Sequence, residues 1–236
     1  MNHLLNHFRR PAIVATVLLS LWIAPEALAK YRPPKRPSAP KTTGTNTTRG
    51  GSCDPNANSK LTALVPFSHV GQTSSSHPTF AWFVPDRQPY PLQFRLFRSN
   101  GQPLYRTTLQ SQTGIMQFSL PQTQAGLEIG QSYLWQVVLV CNPAVPLTNW
   151  VAAAEIAVVK PDPALQSQLA TAQTPQQRSD LYAESGLWYD ALAAAYSNRS
   201  AVLALLESLA SSEAQPLRDW SDRLRQIEAI ERQRSR

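Results

Sequence analysis

Side chains suited to acid–base or metal chemistry are scarce in this sequence. Of its four histidines, His3 and His7 fall at the extreme N-terminus, which leaves only His69 and His77 in the body of the chain. Even with Asp54 or Asp86 close by, their separation fits no metal-ligand spacing, so both read as exposed loop histidines and no metal or cofactor is expected. The two cysteines, Cys53 and Cys141, do not form a Cys-x-x-Cys pair. Ser74 to Ser76 sits in neither a Gly-x-Ser-x-Gly nor a Ser-x-x-Lys context, which leaves a flexible polar loop rather than a nucleophile. From Ser52 to Lys160 the only acids are Asp54, Asp86, Glu128 and Glu155, a poor supply for the paired carboxylates of a glycosidase. There is no glycine-rich phosphate loop. No catalytic constellation emerges, and the chain is read as a non-enzyme.

What is present begins with an address. His3, His7, Arg9 and Arg10 precede an apolar run from Ala12 to Ala24, and Ala27-Leu28-Ala29 follows just before Lys30. That order is a secretory signal peptide over residues 1–29, cleaved after Ala29. The run is shorter than the ~20 residues of a spanning helix, so no membrane span is expected after cleavage, a retained anchor being the alternative. The protein is therefore placed in the periplasm, the cell envelope or the medium.

The formal charge is +7, but the excess is local. Lys30, Arg32, Lys35, Arg36, Lys41 and Arg49 precede Gly51 with no acid among them, and the chain beyond is balanced. Residues 30–50, rich in Pro, Thr and Lys/Arg, read as a disordered linker that spaces the fold from the export segment or touches an acidic envelope polymer. This charge distribution does not point to nucleic acid.

In an oxidising compartment two cysteines read most simply as the disulfide Cys53–Cys141, free thiols or a redox pair being the alternatives. Between and just beyond them lie seven strand-like runs: 61–65, 79–84, 92–98, 104–109, 115–120, 133–140 and 151–159. Leu92, Phe94 and Leu96 alternate with Gln93 and Arg95, and Ser99-Asn100-Gly101 supplies a hairpin turn. Tyr133 to Val140, apolar on both faces, reads as a central strand. Short strands closed by Pro or Gly predict an immunoglobulin-like antiparallel β-sandwich over residues 51–160.

After Pro161-Asp162-Pro163 the period changes to helical, giving a helical region over residues 161–236. Thr174-Pro175 reads as a helix N-cap with proline at the first position, and Gly186 as a C-terminal stop. Leu181-Tyr182-x-x-x-Gly186-x-Trp188-x-x-Ala191 has the spacing of a tetratricopeptide-type turn, but a single copy predicts a helical hairpin packed on the sheets rather than a peptide groove.

Arg49-Gly50-Gly51-Ser52-Cys53, Leu61 to Pro66, Pro78 to Pro85, Gly130 to Trp135 running on to Cys141-Asn142-Pro143, and Leu181 to Leu192 together resemble the cyanobacterial family called domain of unknown function 928. The resemblance spans roughly residues 49–230. It implies an exported cyanobacterial protein and supplies no catalytic residue. The reading is an exported, non-enzymatic interaction or structural module meeting another envelope protein or an acidic polymer, with a carbohydrate-binding module or carbohydrate-active hydrolase as the alternative.

Overall fold

The computed structural model of the chain describes residues 30–35, 38–39, 44–45, 52–215 and 217–234; the expected signal peptide lies outside them. The longer strands form where β-branched and aromatic residues are enriched between turn residues, and the short ones where they pair with a neighbour: β1 (Gly44–Thr45), β2 (Thr62–Ala63), β3 (Gly71–Thr73), β4 (Thr79–Val84), β5 (Pro91–Arg98), β6 (Pro103–Gln110), β7 (Gly114–Ser119), β8 (Ser132–Leu139) and β9 (Trp150–Val158). Helices follow: α1 (Pro163–Thr171), α2 (Pro175–Glu184), α3 (Trp188–Ala195), α4 (Arg199–Glu213) and α5 (Arg218–Gln233).

One sheet runs β1-β9-β8-β5-β6 with β3 added against β9, and the second runs β2-β4-β7. All pairings are antiparallel except β3 with β9, where Gly71 faces Ile156 and Thr73 faces Val158 in parallel. The wholly antiparallel expectation is corrected at this one ladder. β8 lies between β9 and β5, the central place its two-sided apolar sequence predicts. In β5, Leu92, Phe94 and Leu96 are buried while Gln93 and Arg95 are half-exposed, the period of two set by the pleat. The sheets meet through aromatic side chains: Phe80 lies 4.9 Å from Phe94 and 5.3 Å from Trp135, and Phe94 lies 4.7 Å from Phe118, ring centre to ring centre.

The helices share this core rather than forming one of their own; a single buried cluster takes in Tyr31, the strands from Leu61 on and the helices as far as Ile227. Aromatic polar tips register them on the strands. Trp188 Nε1 donates to the Leu64 carbonyl at 2.7 Å, Trp220 Nε1 to the Val65 carbonyl at 3.2 Å, and Trp135 Nε1 to the Tyr189 hydroxyl at 2.8 Å. Each buries a large apolar body while satisfying its one donor. Thr174 caps α2 with the reciprocal Gln177 bond and Pro175 at the first position. Gly186 ends α2 at φ +77°, and a Cβ there would lie 3.1 Å from the Arg32 carbonyl oxygen and 3.2 Å from the Pro34 nitrogen.

That approach overturns the disordered-linker reading for the described part of residues 30–50. Tyr31 is 1 % exposed, the Arg32 amide donates to the Ala183 carbonyl at 3.1 Å, and the Ser38 carbonyl accepts from the Val70 amide at 2.9 Å. Gly44 and Thr45 pair with Ala153 and Ala152 of β9. Buried aromatic area and donor satisfaction offset the entropy that proline-rich composition would otherwise keep. The chain's own N-terminal segment thus lies on the turn of the α2–α3 hairpin, and Lys30, Arg32 and Lys35 remain exposed beside it.

Candidate functional site

Three groups of polar side chains come together, two inside the fold and one at its surface. The innermost begins at Tyr31. Its hydroxyl lies 2.7 Å from His69 Nε2, His69 Nδ1 lies 2.9 Å from Ser68 Oγ, and Ser68 Oγ donates to Glu213 Oε1 at 2.8 Å. Because the Ser68 proton is committed to Glu213, His69 must donate from Nδ1 to Ser68, leaving Nε2 to accept from Tyr31. The chain of donors runs one way, from phenol to carboxylate. Burial holds His69 down at about 4, which keeps the ring neutral, and pushes Glu213 above the usual carboxylate range. A hydrolase needs histidine between serine and acid, with serine giving its proton to the ring. Here serine stands between them, and His69 and Glu213 are 2 % and 0 % exposed. The group clips the N-terminal segment, the residues before β3 and the end of α4 together. The expectation of an exposed loop histidine is corrected for His69, whose imidazole carries an internal bond at each nitrogen.

The second group centres on Asp190 in the first turn of α3, a favourable place for a carboxylate. Its Oδ2 accepts the Ser74 amide at 2.9 Å and its Oδ1 the Ser74 hydroxyl at 3.3 Å. The Ser74–Ser76 run is therefore tied down at its first residue rather than being a free polar loop. Beside it, Ser75, His77, Arg178 and Tyr182 line a cleft of about 290 Å³. Burial pushes Asp190 up to about 6 from its ordinary 3.8. A raised acid contributes stability that is present below the unfolded value and lost as pH rises through the folded one, whereas His69, lowered from 6.5 to about 4, contributes stability lost as pH falls. Between about pH 4 and 6 these two groups oppose one another, with buried Glu213 and Asp86 acting in the direction of Asp190. Relative to wild type, Asp190→Asn is expected to gain on the order of 1–3 kcal/mol as pH rises across that window, read from urea titrations at both ends. A constant difference between the two proteins would contradict it.

The third group faces solvent at the end of the sheets where Cys53 and Cys141 form the expected disulfide, with Cα atoms 5.2 Å apart. The bond fixes the start of the segment 52–60 to the end of β8. Asp86, fully buried, accepts the Asp54 amide on Oδ1 at 2.7 Å, and its carbonyl accepts the Thr113 hydroxyl at 2.7 Å. Farther along, Gln226 of α5 donates to the Asn58 carbonyl at 2.7 Å. The segment is held from three directions.

On one side of it Asp54, Asn56, Asn58, Arg87, Thr113 and Arg234 line a cleft of about 660 Å³, and on the other Lys60 and Trp150 line one of about 360 Å³; Ala57 and Ser59 belong to both. Arg234 is aimed by its 2.7 Å ion pair to buried Glu231, which Arg199 also holds at 2.7 Å. Its guanidinium passes over Gly114, at φ +98°, where a Cβ would come within 1.6 Å of Nη1. The Ser59 hydroxyl is buried with no hydrogen-bond partner among the described residues. Unpaired groups of this kind are uncommon in folded proteins.

The disulfide pair is the one set of site residues legible in the sequence. His69 and His77 do not share a site: His69 bonds Tyr31 and Ser68, and His77 Nε2 lies 3.1 Å from the Gln124 carbonyl. Arg87, Trp150 and Arg234 gave no signal, because they come from separate segments with no common spacing. Of the five described tryptophans, Trp150 is the only one not buried, which only the structure reveals. Among the described residues, no three His, Cys, Asp or Glu side chains cluster as metal ligands, and no helix is long and apolar enough to cross a membrane. Residues 44–227 match the family described as Domain of Unknown Function (DUF928). No curated protein and no solved structure matches the chain.

Proposed function

The chain belongs to the DUF928 family, and from that premise we propose that it is an exported, non-enzymatic interaction module of the cell envelope or periplasm, built on an immunoglobulin-like β-sandwich with helices packed against it. One observation carries this reading: the groups capable of chemistry are spent inside. His69, Glu213 and Asp190 are buried and engaged in internal bonds and Asp86 is buried and held through Oδ1, while the solvent-facing clefts beside the disulfide are lined by amides, cations and an aromatic ring with the single carboxylate of Asp54. A structural disulfide supports an oxidising compartment. Leu147, 98 % exposed on the short 3₁₀ turn after Cys141, and Val145 beside it offer a small apolar contact for a protein partner.

The alternative of a hydrolase loses support from two of its four candidate acids. Asp86 is fully buried, and Glu128 faces Arg98 in an exposed pair at 3.5 Å. A carbohydrate-binding module keeps support from Trp150 beside the amide-lined surface. The test is a panel of acidic and neutral polysaccharides incubated with purified protein, followed by chromatography of the polymer. Unchanged chain length is expected. Shortening that disappears on replacing Asp54, Asp86, Glu128 or Glu155 would overturn the non-enzymatic reading.

A further inference from the structure

We propose that the surface straddling residues 52–60 is a binding site for an anionic polysaccharide, a polymer of sugar rings bearing carboxylate or sulfate groups. This rests on the reading of the protein as a binding module and assigns its ligand class.

Adjacency is the first argument. The two clefts share Ala57 and Ser59, so they adjoin along the segment, one on either side of it. A ligand laid across it meets Lys60 and Trp150 on one side and Arg87 and Arg234 on the other. An extended chain fits such a surface better than a small molecule, which would fill one cleft.

Charge is the second. Lys60 and Arg87 are exposed and make no ion pair among the described residues. Arg234 shares Glu231 with Arg199, so two guanidiniums face one carboxylate and positive charge is left over. The acid on this surface, Asp54, turns its Oδ1 to the Asn56 amide at 2.8 Å. The balance favours an anion.

The third argument is what lies between the charges. Asn56, Asn58 and Gln233 offer amides that both donate and accept, and Thr113 Oγ1, its proton given to the Asp86 carbonyl, can still accept. Paired donors and acceptors suit ligand hydroxyls, and the partly buried Trp150 brings an aromatic side chain to the lining of the smaller cleft, where a sugar ring can pack on it. The disulfide, Asp86 and Gln226 hold the segment in place before binding, so little ordering entropy is lost.

The site is tested by affinity electrophoresis of the full disulfide-bonded protein through gels containing polygalacturonate, dextran sulfate, neutral dextran or a single-stranded oligonucleotide, at low and high salt. Retardation is expected with at least one of the two anionic glycans, weakening with salt, and the stronger of the two identifies carboxylate or sulfate as the recognised group. Lys60→Ala with Arg87→Ala, both exposed and unpaired and so harmless to folding, should weaken that retardation at least about tenfold, a loss of about 1.4 kcal/mol. Trp150→Ala should weaken it likewise and Trp150→Phe should restore most of it, with circular dichroism confirming the fold. Equal retardation of the double variant and wild type, retention by neutral dextran as strong as by the acidic polymers, or preference for the oligonucleotide would each overturn the assignment. Absence of retardation with the polymer left intact would defeat the ligand class alone, whereas polymer shortening would defeat the non-enzymatic reading.

Discussion

Tyr31→Ala is expected to destabilise the protein by about 3–5 kcal/mol, the range for removing a large buried aromatic ring. The ring is 1 % exposed and meets Trp188 edge-on at 5.2 Å. Its hydroxyl is the first donor of the chain that ends on Glu213, so truncation also strands His69 Nε2 inside the fold. Tyr31→Phe separates the two effects: the cavity stays filled, only the donor is lost, and the cost should fall to about 1–3 kcal/mol. Chemical denaturation at pH 7 measures both. Equal stability of Tyr31→Ala and wild type would return residues 30–35 to the status of a spacer.

The second large effect is expected at the disulfide. Cys53→Ser combined with Cys141→Ser removes a link across 88 residues and should cost about 2–5 kcal/mol, chiefly by enlarging the unfolded ensemble. The same change frees the start of segment 52–60, so polymer retardation should weaken even where the protein remains folded. Loss of stability without loss of retardation would show that Asp86 and Gln226 suffice to hold the segment.

Sequence pattern made much of this fold legible for a physical reason. β4 through β9 show either a side-chain period of two, as in β5, or a short apolar run, as in β8, between turn residues, information that is local to the strand. Thr174-Pro175 and Gly186 were equally local, since a cap or a positive φ needs only its own neighbours. What escaped was set by distant partners. Gly71-Gln72-Thr73 has no apolar alternation and becomes a strand only because β9 lies alongside. Tyr31 stands among proline and basic residues whose composition resembles a linker, yet its amide is bonded to Ser208 at 2.6 Å, 177 residues away. His69 reads as a loop residue until Tyr31 and Glu213 close over it. The clefts were illegible for the same reason: residues near 54, 87, 114, 150 and 234 meet only after the sheets and α5 have packed.

The buried polar groups act as braces, binding the N-terminal segment, the two sheets and the helices into one core. Amide hydrogen exchange tests this most directly at Tyr31 and Arg32, whose amides donate to Ser208 Oγ and the Ala183 carbonyl. Protection comparable to that of Leu64 and Trp135 in the core is expected, lost together with theirs under mild denaturant. Exchange of Tyr31 and Arg32 at the rate of an unstructured chain, with the core still protected, would contradict it.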